Sequence, residues 1–336
     1  MIRSYLVSLL FVLFALLSTG CSEKNYFSPK KVDGTIAYDG KLPAKIVEIG
    51  YHSATLENGE VITEKGLLSY HLPKGYRYIT QSGNLVVAAG DCRPNILFNI
   101  ETNSSETIDL GRPLVAGLLM PESNMLAFLI EGNSYGLYNY KEKRIVAKYR
   151  SDTALTADIR IASPMLLDQL LLIPTLDGKV VILNKHNGAK IREIIVGKGE
   201  VFNNIIFLNV IGNRLVAATP HRIISVSPKL MDAQVMEISD VLFIKDGIYI
   251  LSKDGTIYHC DTDLKILKSQ KFPFAHFVGA ISGEFIYLIE KEGYVIATTP
   301  DLSSHKIFEL PEKIDGWFFA TKDRLYYDRY YFKLHR

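Results

Sequence analysis

The sequence predicts an all-β protein, a single β-propeller of four-stranded blades closed by an N-terminal strand. Eight blades is the preferred count and seven the alternative. Three observations point there. A strand–turn–strand unit recurs along the 336 residues. Beyond the N-terminal apolar segment no long helical periodicity appears. The runs between turns are rich in Val, Ile, Tyr and Phe, the residues that fit a pleated, half-buried surface.

The clearest copy of the unit is Leu170 to Val196. An apolar strand runs into a turn at Asp177-Gly178. A second strand ends at Asn187-Gly188, and a third, Lys190 to Val196, alternates polar and apolar. Asp-Gly and Asn-Gly accept positive φ at low cost, so both read as hairpin turns. Sibling tips follow at Asn58-Gly59, Gly90-Asp91, Gly132-Asn133, Pro220-His221 (with Gly lost), Asp254-Gly255, Glu292-Gly293 and, in degenerate form, Asp328-Arg329. Their mean separation is roughly 38 residues, the length of one four-stranded blade. Turns at Gly212-Asn213, Asp246-Gly247 and Ser282-Gly283 fall between the first and second strands of their repeats.

A propeller has to close, because otherwise its first and last blades leave exposed sheet edges. The last repeat supplies three strands, around Trp317 to Ala320, Arg324 to Tyr327 and Tyr330 to Leu334, and then the chain ends. Gly34-Thr35-Ile36-Ala37-Tyr38 has no repeat of its own and is expected to complete the last blade as its outer strand.

Hydrophobic residues make up 48 % of the chain, enough for a sizeable core, and the formal net charge is only +2. That balance gives no general pull toward nucleic acid. Met1-Ile2-Arg3 followed by the apolar run Tyr5 to Leu17 has the form of a signal peptide. The run is shorter than the ~20 residues of a spanning helix. With Ser18-Thr19-Gly20-Cys21 it resembles a bacterial lipoprotein signal, which implies that Cys21 is lipidated with palmitate and becomes the mature N-terminus. Ser18 stands where that pattern usually has Leu. Ser22 rather than Asp after the cysteine implies the outer membrane. The expected organisation is a signal peptide over 1–20, a lipidated flexible tether over 21–31 and the propeller over 32–336. Cys92 and Cys260, far apart in sequence, read as buried free thiols.

Asp177 to Ile191 resembles the repeat of the pyrroloquinoline-quinone-like (PQQ-like) propellers, and Lys253 to Asp261 is a partial second match. The strand tryptophan of that family is replaced here by Arg192, and Trp317 is the only tryptophan. Tyr, Phe and Leu must therefore fill the seams between blades. Signal, lipid cysteine, size and blade count together are similar to the propeller lipoprotein of the outer-membrane barrel-assembly machinery (BamB-type). That resemblance implies an envelope-protein partner and identifies no interface residue.

Chemistry is weakly signalled. No calcium-loop pattern accompanies a stacking tryptophan, as a quinoprotein enzyme would need, and no Gly-x-Ser-x-Gly elbow is present. His259-Cys260 is the only adjacent His–Cys pair, and neighbours on a strand point to opposite faces. The remaining histidines lack ligand spacing. Lys141 to Arg144 reads as a solvated turn. The basic and aromatic C-terminal stretch, Arg324 to Arg336, reads as an alternating strand packed in the closing blade. Asn103-Ser104-Ser105 matches a glycosylation acceptor. No catalytic, cofactor-binding or metal-binding residue is assigned, and no cofactor is expected. The expectation is a monomeric, periplasm-facing, non-enzymatic protein-binding scaffold on an N-terminal lipid anchor. A small-ligand or glycan receptor or a surface adhesin is the alternative, and a quinoprotein-like enzyme the lesser one.

Overall fold

The computed structural model describes residues 25–90, 93–154, 160–197, 203–244 and 247–334. Its eight sheets form a ring of blades, each built on four antiparallel strands and numbered in chain order, with blade 2 within 76–108, blade 3 within 114–150, blade 5 within 207–235, blade 6 within 238–271, blade 7 within 277–309 and the consecutive strands of blade 8 within 318–333. Blade 1 is built from Ile46–Ile49, Ser53–Leu56, Glu60–Thr63 and Gly66–His71. Blade 4 is built from Met165–Leu167, Leu170–Pro174, Lys179–Asn184 and Lys190–Ile195, the strands expected from the sequence. Every described tip identified by its turn residues lies between the second and third strands of its blade. Asp91 and Asp246 lie outside the described residues.

The burial pattern explains the apolar runs. Second strands such as Ser53–Leu56 and Gly247–Ser252 are buried at every position, because a neighbouring blade covers each face. Outer strands such as Lys190–Ile195 are largely exposed. The core is a set of clusters lying between adjacent blades. Leu129, Tyr135 and Leu137 of blade 3, for example, pack on Leu171, Ile173 and Val181 of blade 4. A strand covered on both faces reads as a continuous apolar run rather than an alternating one, as Leu170 to Ile173 does.

The glycines of blade 4 have separate reasons. Gly178 has φ +83°, and a Cβ there would sit 2.9 Å from Asn203. Gly188 has φ +69°, and a Cβ would fall 2.4 Å from the Ala147 side chain on blade 3. Turn geometry and inter-blade contact both demand glycine at these two places.

Tyrosine and serine hydroxyls stitch the seams that tryptophan holds in the PQQ-like pattern. Tyr149 of blade 3 donates to the Gly188 carbonyl at 3.1 Å, Ser225 of blade 5 to that of Thr262 at 2.6 Å, and Tyr249 of blade 6 to that of Pro300 at 2.8 Å. Each acceptor lies in the third-to-fourth turn of the next blade. Tyr326, Tyr327 and Phe332 of the C-terminal stretch are buried in the closing blade, as its alternation implied.

Two expectations about the N-terminal side need correction. Gly34–Thr35 does not complete the last blade. It runs parallel to His305–Glu309, the outer strand of blade 7, as a fifth strand. The outer strand of blade 8 is Gly40–Lys41, antiparallel to Tyr330–Lys333. Gly40 permits this because a Cβ there would meet the Tyr331 ring at 2.4–2.5 Å. The stretch expected as a tether over 21–31 is also not wholly free of the propeller. Phe27 falls within it, yet is buried between blades 6 and 7, edge-on to Phe272 and Tyr294 with ring centroids 6.5 Å and 5.5 Å away.

Candidate binding surfaces

First strands of neighbouring blades touch near the centre of the ring, blade 2 with 3, 6 with 7, 7 with 8 and 8 with 1. Tyr51, in the first turn of blade 1, crosses toward blade 5 on the far side. It packs with Leu208 and Leu215, and its phenol lies against the Leu208 amide. Burial, reinforced by Asp240, drives its pKa well above the ordinary tyrosine value. Arg160 donates to the Ser239 carbonyl and lies 3.8 Å from Asp240. Asp240 Oδ2 accepts from the Ala280 amide at 3.2 Å. Arg160, Asp240 and the Tyr51 phenol are thus engaged with other blades of the ring. At one mouth a cavity of about 190 Å³ remains, lined by Glu64, Leu242, Ser282 and Lys322 among others.

The tip of blade 4 shows what Asp177 does. Its carboxylate accepts from Asn133 Nδ2 at 2.8 Å and from the Ser151 hydroxyl at 2.7 Å, and lies 2.6 Å from Lys179 Nζ. Asn133, fully buried on blade 3, also donates to the Asp152 carbonyl at 2.6 Å and accepts from the Leu176 amide at 2.9 Å. Burial alone would raise the Asp177 carboxyl. The hydrogen bonds from Lys179, Thr175, Asn133 and Ser151 outweigh it and hold the group below the usual carboxylate range. This is a clasp between two blades.

A third feature lies on the outer rim between blades 4 and 5. It is a cleft of about 520 Å³ with Ile194 and Val226 among its lining residues. The outer strand of blade 5, Met231–Val235, alternates. Asp232 and Gln234 turn toward neighbouring polar groups, with Gln234 donating to the Leu264 carbonyl of blade 6 at 3.1 Å and Asp232 lying 3.2 Å from Arg214. Met231, Ala233 and Val235 are left exposed. With Leu230 they form a stripe in which Leu230 is 57 %, Met231 53 % and Val235 80 % exposed. Arg192, Arg222 and Lys229 also line the cleft. None of the three is paired with a carboxylate among the described residues, whereas Glu193 is 2.7 Å from Lys190. The Arg222 Nε is buried and has no hydrogen-bond partner among them. This cleft leaves no mark in the sequence, because Met231 to Val235 reads as an ordinary alternating strand.

The remaining sequence candidates are dispersed. Cys21 and Cys92 lie outside the described residues, as do His335 and Arg336. Cys260 is a buried free thiol, with burial raising its pKa to about 11. His259 stacks on Tyr249 at 4.4 Å, and burial lowers its pKa. Among the described residues no three His, Cys, Asp or Glu side chains are grouped to hold a metal ion. Lys141 to Arg144 and Asn103 to Ser105 are exposed or partly exposed turn and edge residues.

Over 96 % of its length the chain is similar to the plasminogen-binding protein PgbB of Helicobacter pylori. Identity is 28 % with the protein of strain J99 and 26 % with that of strain 26695, and 70 % of each relative is covered. Solved structures share the fold. BamB from Moraxella catarrhalis superposes with a TM-score of 0.67 at 14 % identity, covering 89 % of this chain and 100 % of that one. The C-terminal WD40 domain of Sif2 gives 0.64 at 13 % identity, covering 91 % and 100 %. The computationally designed Ika8 protein gives 0.61 at 11 %, covering 90 % and 98 %. At these identities the likeness concerns architecture alone. No protein-family model matches the chain. The β-propeller expected from the repeats is therefore the observed fold, and its architecture is BamB-like.

Proposed function

We propose that this chain is a non-enzymatic, protein-binding propeller, anchored in the outer membrane by lipid on Cys21 and facing the periplasm. The observation that carries the reading is its similarity, over 96 % of the chain, to proteins named for binding plasminogen. The fold supports it. A ring of rigid blades offers broad faces, and Asp177, which stood out in the sequence, serves to join two blades. The anchor rests on the Met1 to Cys21 signal pattern.

Binding is tested with the purified chain immobilised and plasminogen passed over it, alongside cross-linking in the native membrane. Saturable plasminogen binding, or a reproducible envelope-protein adduct, is the expected result. A chain that retains neither sinks the reading. The barrel-assembly form of the hypothesis has its own check. If deletion leaves outer-membrane protein levels unchanged and no assembly component is cross-linked, that form is wrong. For the anchor, Cys21→Ser should abolish palmitate labelling and release the protein from the membrane. Labelling that survives the substitution would place the lipid elsewhere.

A further inference from the structure

Two inter-blade wedges on the rim invite comparison. The wedge between blades 6 and 7 is filled by the chain itself. Phe27 inserts among Tyr249, Phe272, Phe277 and Leu302, and the following segment runs along the blade 7 edge, with the Asp33 amide donating to the Ile307 carbonyl at 2.7 Å and the Ile36 amide to that of Glu309 at 2.8 Å. The arrangement is an aromatic anchor followed by a short extended strand. The wedge between blades 4 and 5 offers the same kind of site, with apolar groups within it, an exposed apolar rim and an outer strand whose edge, among the described residues, carries no fifth strand.

We propose that the cleft between blades 4 and 5 binds an extended segment of a partner protein, one that carries an apolar anchor side chain flanked by carboxylates. This deepens the protein-binding reading and rests on it. The anchor follows from Leu230, Met231 and Val235, which together expose apolar surface that association would remove from water. The extended conformation follows from the strand edge and from the precedent at blade 7. The carboxylates follow from charge. Arg192, Arg222 and Lys229 line the cleft without acidic partners among the described residues, and Glu193 is already engaged by Lys190. The Arg222 guanidinium lines the cleft, and its planar fork of donors suits a carboxylate. The same cations disfavour a second copy of this chain, whose own cleft would bring like charges together.

The test uses a fluorescent seven-residue peptide with a central Phe, alternating Val and Thr, and Asp at both ends, together with its counterpart bearing Lys at both ends. Each is titrated into the full chain and binding is read by anisotropy. The acidic peptide should bind at least tenfold more tightly than the basic one. Met231→Glu and, separately, Arg222→Gln should each weaken it at least tenfold. Leu67→Glu, on the exposed outer strand of blade 1, should leave it unchanged. Hydrogen exchange should slow in Met231–Val235 when the acidic peptide is present. Equal binding of the two peptides, no binding, or equal losses in Leu67→Glu and Arg222→Gln overturn the proposal. A dimer of the free chain that Met231→Glu dissolves assigns the cleft to a second copy and also overturns it. If plasminogen or an envelope protein still binds while the peptides ignore the cleft, only the cleft assignment fails.

Discussion

Blades 4 and 7 turn the same corner with different chemistry. In blade 4 the tip is Thr175-Leu176-Asp177-Gly178, and in blade 7 it is Glu290-Lys291-Glu292-Gly293. Both glycines have positive φ, +83° and +94°. Thr175 closes its turn with a neutral hydroxyl, which accepts from the Lys179 amide and donates to the Lys179 carbonyl, both at 3.0 Å. Glu290 occupies the corresponding place with a fully buried carboxyl, accepting from the His276 amide at 3.1 Å and the Glu292 amide at 2.7 Å. Burial outweighs those amides and lifts its pKa to about 7. Asp177, two residues further along in blade 4, is held down by Lys179 and its neighbours. A buried carboxylate answered by a cation locks blades together. One answered only by backbone amides makes its turn sensitive to pH.

The largest expected effect tests the locked tip. Asp177→Ala removes the acceptor that Lys179 and Asn133 share; because Lys179 keeps Asp152 at 2.9 Å, the loss should sit at the low end for a broken buried pair, about 3 kcal/mol. Denaturant titration reads this directly. Because the Asp177 pKa is depressed in the folded state, its contribution is present above the ordinary carboxylate value and is lost as pH falls through the folded value. The variant should therefore lose part of the parent's acid destabilisation. A cost below about 1 kcal/mol would mean that Asp177 behaves as a surface ion pair.

Glu290 gives the opposite sign. Its folded pKa of about 7 lies above the ordinary glutamate value of 4.5, so the folded state holds the proton longer. Stability should fall as pH rises between those values and stay flat above, a total loss of about 3 kcal/mol. Glu290→Gln should flatten this slope between pH 5 and pH 8. The slope is the readout rather than the absolute stability, because the two backbone N–H groups are held by different oxygens and glutamine puts an NH2 donor in place of one of them. An unchanged slope would show that another group titrates.

Much of this architecture is legible in the chain because its turns are chemically demanding. Positive φ at Gly59, Gly132, Gly178, Gly255 and Gly293 requires glycine, so the repeat announces itself. Contacts between blades leave no such mark. Asn133 and Asp177 meet from separate repeats, and nothing in either turn names the other. Gly34 to Tyr38 looks a better strand than Gly40-Lys41, but the space beside Tyr331 decides which of them closes blade 8. Phe27 sits in a stretch whose polarity suggests a tether, and one aromatic ring overrides that composition. The exposed face of Met231 to Val235 emerges only when blades 4 and 6 show which of its sides they cover.

The smallest effect separates a seam from a clasp. Tyr149 and Asp177 both join blades 3 and 4, but Tyr149 does so with one neutral hydrogen bond to the Gly188 carbonyl and a ring that stacks on Tyr135 at 5.8 Å. Tyr149→Phe keeps the ring and removes only the hydroxyl, so it should cost about 1 kcal/mol. Its cost should not vary between pH 4 and pH 8, since no charge changes with the hydroxyl. Combined with Asp177→Ala, it should add within about 0.5 kcal/mol if the two contacts act independently. A large shortfall from additivity would show that the seam between these blades opens as a unit once the clasp is gone. Tyrosine at the seam and carboxylate at the tip would then be two parts of one device.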